Sequence, residues 1–188
     1  NRWRLPARLS LGLLSAAALV SLYWAPWQDN WHYARAASCV EAGDNAGALP
    51  HLDRFLERHP EDLWAAHTSA TLRIARKDYR RARDILAAAT DGALNTNSLA
   101  WLLATCPDAI VRDGRRAVEL ARQACESTDW ANPSYLDTLA AAYAESGNFT
   151  EAIKWSTKAV SLTSGEERKA LEENLRIMKN GQPIREPQ

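Results

Sequence analysis

Cysteine is scarce and odd in number: Cys39, Cys106 and Cys125 are the three in 188 residues. No C-x-x-C occurs, which excludes a thioredoxin-like dithiol, and no C-x-x-C-H, which excludes covalent c-type haem attachment. Net charge is absent, with 23 basic and 23 acidic side chains, so no basic field exists to attract nucleic acid. Glycine-rich phosphate loops and a G-x-S-x-G nucleophile turn are missing too. His32, His51, His59 and His67 are scattered; His51 and His59 share a segment but lie two turns apart, too far to bind one ion. Acidic pairs such as Glu166-Glu167 and Glu172-Glu173 read as a solvated helix face. No catalytic group, metal or cofactor is therefore expected. Gly and Pro number eight each and β-branched runs are few, a composition suited to helices.

What is present first is an N-terminal apolar run. No charged residue occurs from Leu9 to Trp27, a stretch of 19. At about 1.5 Å per residue this reaches roughly 28 Å, close to the hydrocarbon thickness of a bilayer. Arg2, Arg4 and Arg8 precede it, and Trp3 at one end with Tyr23, Trp24, Trp27 and Trp31 at the other resemble an aromatic belt. The expectation is a membrane anchor over residues 1–28, with a transmembrane helix at about 6–27. Cleavage as a signal peptide is disfavoured, because bulky aromatics stand where small residues are needed. Basic residues before the helix place the N-terminus in the cytoplasm and the rest in the periplasm, a single-pass inner-membrane topology. Gly12, Ser15 and Ala16 form a small-residue face on which another helix can pack.

Beyond the anchor the chain has a period. A small alanine recurs at Ala48, Ala82, Ala117 and Ala152, at intervals of 34, 35 and 35 residues. Each lies in an amphipathic stretch preceded by another, which predicts an array of helical hairpins rather than one undivided core. The clearest unit reads Leu136-x2-Leu139-Ala140-x2-Tyr143, then Gly147-x-Phe149-x2-Ala152, then Ala159-Val160. Small residues let two helices touch, and the leucines and the aromatic fill the groove to the next hairpin. Gly147-Asn148 makes the turn and Pro133 suits a first helical turn. The first unit carries Ala36, Gly43, Ala48, Leu52, Phe55 and Pro60, but His32 and Arg35 stand where large apolar residues belong, and Pro50 falls near the start of its second helix. The second carries Leu63, Trp64, Ala70, Tyr79, Ala82, Leu86 and Ala89. In the third, Leu99, Leu102, Leu103 and Cys106 are followed by a connection about two residues longer, with Asp113 as N-cap before Ala117.

This pattern resembles the tetratricopeptide repeat family. The resemblance covers roughly residues 29–180 and implies an all-α fold: four hairpins at about 29–61, 62–94, 95–131 and 132–165, stacked as a right-handed superhelix. A capping helix over 166–180 follows, its start marked by a capping box of Ser164 and Glu167 and its apolar face by Leu171, Leu175 and Met178. Residues 181–188 form a tail. In such a hairpin Cys106 and Cys125 would lie roughly 15 Å apart along the axis, beyond the about 7 Å a disulfide spans.

The resemblance also implies that the first helix of each hairpin lines a concave protein-binding face. The inward positions are then Tyr33, Ala37 and Glu41; Trp64, His67 and Thr71; Asn97, Ala100 and Ala104; Asp137, Ala141 and Glu145. Tyr33, Trp64, His67, Asn97 and Asp137 are the candidate contact residues. Basic residues that would clamp a terminal carboxylate are absent, and alanine with a few aromatics suits an apolar helix or an extended segment. The function expected is a non-catalytic, membrane-tethered scaffold, an accessory subunit binding other proteins of a membrane complex and the lipid bilayer. The alternative is the C-terminal sensing or docking region of a larger membrane enzyme, for example a kinase, with its catalytic domain before Asn1.

Overall fold

The computed structural model describes residues 27–186. Among these residues nine helices occur and no strand. In the first unit, which ends at His59, α1 is described over 27–41 and α2 spans Asn45–Leu56. The second, from Pro60 onward, contains α3 (Leu63–Ala75), α4 (Tyr79–Ala88), α5 (Ala93–Thr105), α6 (Gly114–Glu126), α7 (Pro133–Glu145), α8 (Phe149–Ser161) and α9 (Gly165–Lys179). The predicted membrane span at 6–27, with Gly12, Ser15 and Ala16, lies outside the described residues apart from Trp27. No helix among the described residues is long and apolar enough to cross a membrane.

Short polar side chains begin most helices. Asp44, Asp62, Asp113 and Asn148 each accept a hydrogen bond from the backbone N–H three residues on, at 2.8–3.2 Å. Asn132 accepts from Ser134 and Tyr135 N–H, with Pro133 in the first turn. These bonds satisfy donors that the helix geometry leaves orphaned. The capping box expected before α9 is not formed. Ser164 is the N-cap but its side chain makes no cap bond, and Glu167 instead accepts from Ser134 Oγ on α7 at 3.3 Å. Pro50 lies one turn deeper than anticipated, as the sixth residue of α2. Its exposed position spares it a buried carbonyl without a donor.

The hairpin turns repeat a left-handed residue. Gly43 at φ +73° and Gly147 at φ +83° supply it without a side-chain clash, while the second hairpin uses Lys77 at φ +64°. The third hairpin abandons the device. Its longer connection is held instead by Arg112, whose Nη1 donates to the Cys106 and Pro107 carbonyls at 2.7 and 3.1 Å.

In the second unit α3 pairs with α4, α5 with α6 and α7 with α8, while α5 also packs on α4 and α7, and α6 on α7. The periodic alanines carry this packing: Ala82, Ala117 and Ala152 are fully buried, as are Ala100, Ala121, Ala140, Ala142 and Ala159. With no side chain beyond Cβ, they let helix backbones approach while Leu86, Leu120, Leu136 and Leu139 fill the remaining space. α9 packs on α8, with Leu171 and Met178 buried. The three cysteines are free and buried. Burial pushes the Cys125 thiol up to about 11 and raises that of Cys106, so neither is an activated nucleophile.

Candidate protein-binding site

The first helices of the second unit's hairpins, α3, α5 and α7, with α9, enclose an open cavity of about 380 Å³. Its wall includes His67 and Thr71 from α3, Asn97 and Trp101 from α5, Asp137 from α7 and Glu167 from α9. Three of the five candidate residues, His67, Asn97 and Asp137, therefore share one cavity. Trp64 lies beside it, in an adjoining cavity of about 280 Å³ formed with Leu63, His67, Leu94 and Asn95. Tyr33 belongs to the first unit, where its ring meets Phe55 edge-on at 5.2 Å.

The inward alanines do something other than line a smooth floor. Ala100, Ala104 and Ala141 are at most 1% exposed. The cavity wall is consequently more polar than the sequence suggested, with Thr71, Ser98, Ser134 and Thr138 among its residues.

Two oxygens in this wall have no hydrogen-bond partner, Asn97 Oδ1 and Asp137 Oδ1. Asp137 is 5% exposed. Its other oxygen accepts from Asn174 Nδ2 of α9 at 2.8 Å. Burial raises the carboxyl to about 6, a shift that the Asn174 bond partly opposes. His67 Nδ1 and Ser98 Oγ are 3.5 Å apart across the α3–α5 groove. Both unpartnered oxygens are sealed from solvent, and the surface open to an occupant is mainly apolar, with Ile74, Leu86, Trp101 and Leu171 in the wall.

A second occupied stretch of the same face was not anticipated. α9 ends at Lys179 with Asn180 as its C-cap, and Gly181 at φ +71° reverses the chain, with Gln182 N–H donating to the Ile177 carbonyl at 3.3 Å. The following residues lie across α5 and α7. Ile184 is buried, Arg185 Nη1 donates to the Ala104 carbonyl at 3.2 Å, and Glu186 N–H donates to the Thr105 carbonyl at 3.0 Å. Trp101 Nε1 donates to Glu186 Oε1 at 2.7 Å. Glu145 receives both Arg185 and Arg112, the latter at 3.0 Å. Ala104 and Glu145 had been assigned to the inner face; what fills that place is this chain's own segment. An isolated Ile after a Gly-Gln-Pro turn carries no periodicity, so no sequence signal marks it as core.

Elsewhere, the Trp130 and Trp155 rings stack at 4.9 Å with Lys158 Nζ 5.5 Å from the Trp155 centroid. Among the described residues no three His, Cys, Asp or Glu side chains are grouped to hold a metal ion.

A tetratricopeptide repeat family model matches residues 40–105. No curated protein sequence matches the chain. Among solved structures, a crystal structure of MamA protein is similar at 14% identity and a TM-score of 0.61, over 82% of this chain and 89% of that one. MamA from residue 41 to the end, from Desulfovibrio magneticus RS-1, gives the same identity, score and coverage. A MamA MSR-1 structure shares 18% identity at a TM-score of 0.57, over 81% of this chain and 97% of that one. At these identities the likeness is one of fold. With the alanine period and the hairpin turns, these matches show a fold similar to that of tetratricopeptide repeats, with the family model itself covering residues 40–105.

Proposed function

We propose that this chain is a non-catalytic scaffold that binds an extended segment of a partner protein along the first helices of its repeats. The observation that supports this most directly is the 380 Å³ cavity spanning α3, α5, α7 and α9. The cavity wall contains no Lys or Arg, the side chains with which a carboxylate clamp would hold its ligand. A photo-crosslinker placed at Thr71, on the exposed part of the wall, tests the reading. Adducts with a discrete protein are expected, reduced by Trp101→Ala. Equal labelling from Thr71 and from an outer-surface position such as Arg122 would refute it.

The same reading includes tethering at the inner membrane, repeats on the periplasmic side, as an accessory subunit of a membrane complex. It rests on the uncharged run from Leu9 to Trp27, the arginines before it and the aromatics that flank it. Ala17→Arg should release or misinsert the protein, since a central charge costs roughly 3 kcal/mol or more. Normal membrane retention of that variant would argue against a spanning helix. Protease added to spheroplasts should degrade the repeats, and their full protection would reverse the topology.

A further inference from the structure

The segment after α9 lies on α5 and α7, and its contacts are those of a bound peptide. It has an apolar anchor, Ile184, buried. It has a cation, Arg185, held by the Glu145 carboxylate and the Ala104 carbonyl. It has a carboxylate, Glu186, on the Trp101 indole N–H, and a backbone amide on the Thr105 carbonyl. Pro183 precedes the anchor and biases Gln182 toward an extended backbone, which lowers the ordering cost. Both partners that read the side chains stand on the repeats' first helices, Trp101 on α5 and Glu145 on α7.

The fit is incomplete. Beside the segment a cavity of about 440 Å³ opens, bounded by Tyr79, Trp101, Thr105 and Glu186. Trp101 also forms part of the wall of the 380 Å³ cavity, so the occupied and open stretches adjoin at one side chain. Beyond Ile184 the polar contacts come from Arg185 and Glu186 alone, and Arg185 remains about one-third exposed.

We propose that residues 182–186 are a built-in occupant of the groove on α5 and α7, and that the partner segment accepted there shares their chemistry. That partner is an extended stretch with an aliphatic anchor, then an arginine, then a carboxylate, and it must displace the segment to bind. This rests on the scaffold reading above and specifies its partner. Tethering gives the segment an effective concentration on the order of millimolar, so a modest intrinsic affinity keeps the groove closed. A partner running past Trp101 into the 380 Å³ cavity would gain contacts with Thr71, Ile74 and Leu171 that the segment does not make.

The test uses a fluorescent peptide of residues 181–188, Gly-Gln-Pro-Ile-Arg-Glu-Pro-Gln, titrated by anisotropy against two proteins. One is the intact chain and the other ends at Gly181. The shortened chain should bind the peptide with a Kd on the order of 0.1–1 mM, and the intact chain at least about tenfold more weakly. A peptide with Arg185→Glu should lose about tenfold or more against the shortened chain. Circular dichroism should show helix content retained and Tm lowered by no more than about 5 °C. If the shortened chain does not fold, Ile184→Asp in the intact chain releases the segment without removing it, and the same peptide should then bind. A folded, segment-free groove that takes no peptide would overturn the proposal, as would equal binding by the intact chain. Crosslinking at Thr71 that still captures a protein in that event would leave the scaffold reading standing and remove only this inference.

Discussion

The α1–α2 hairpin and the α7–α8 hairpin descend from one pattern yet are held by different chemistry. In α7–α8 the contact is alanine on alanine, with Ala140, Ala142, Ala152 and Ala159 fully buried. In α1–α2 the periodic alanines Ala36 and Ala48 are equally buried, but rings carry much of the rest. His32 and His51 share a hydrogen bond at 3.0 Å between their Nδ1 atoms, Trp31 meets His51 edge-on at 5.1 Å, and Phe55 stacks on His59 at 4.7 Å. His59 Nε2 in turn meets Asp29 at 3.2 Å. His32, which breaks the apolar pattern, is thus matched by a second histidine 19 residues on. An alanine contact is indifferent to pH and intolerant of added volume; a ring contact built on imidazoles is the reverse.

The largest effect expected is on the alanine side. Ala152→Leu forces extra methylenes between close-packed helices and should cost about 1–3 kcal/mol. Hydrogen exchange should show the loss concentrated in α7, α8 and α9, because each hairpin contacts its neighbours alone. Uniform loss of protection across the chain would mean one cooperative core and would erase the distinction between the hairpins.

Next comes Asp137, the titrating group buried within the alanine-packed array. Its carboxyl is raised to about 6, above its unfolded value, so the charged form is the one the fold disfavours. The penalty is full above pH 6 and is relieved as pH falls through 6 toward 4. Asp137→Asn keeps an acceptor for Asn174 and should stabilise the second unit by about 1–2 kcal/mol at pH 7.5, with little gain at pH 4.5. Urea midpoints at both pH values check it, and a destabilised variant at pH 7.5 would show that the carboxylate is structurally required.

A smaller effect lies in the turns. Lys77 adopts the left-handed backbone that Gly43 and Gly147 supply at the equivalent places. Lys77→Gly should stabilise by about 0.5–1 kcal/mol, since the side-chain strain exceeds the added freedom of the unfolded chain. A loss of stability would mean that the lysine stem makes a compensating contact.

The smallest belongs to the ring-packed hairpin. Burial, then the neighbouring His32 and Arg35, lowers the His51 value in the fold. Its contribution is therefore present above about pH 6.5 and declines as pH falls, opposite in sense to Asp137. Protection of Leu52 amide exchange, corrected for intrinsic rate, should weaken between pH 7.5 and 5.5, and His51→Gln should flatten that dependence. An unchanged wild-type profile would remove the pH contrast between the two regions.

The sequence by itself determined the helices, their pairing and the alanine contacts. These depend on period, on caps such as Asp113 and Asn132, and on turn residues such as Gly147, all set within one or two turns of chain. It also brought His67, Asn97 and Asp137 to one cavity, because the first helices of successive hairpins line the same face when hairpins stack. Only the tertiary structure decided what does not repeat. Glu167 left its expected cap for Ser134, His32 found His51, and the long third connection was fixed by Arg112 on Glu145. Asp129 and Trp130 took left-handed backbones so that the chain could turn from α6 into α7. Above all, Ile184, Arg185 and Glu186 folded back onto α5 and α7. Each of these is a contact between residues whose spacing matches no helical period, so its energy exists only once the repeats have placed both partners.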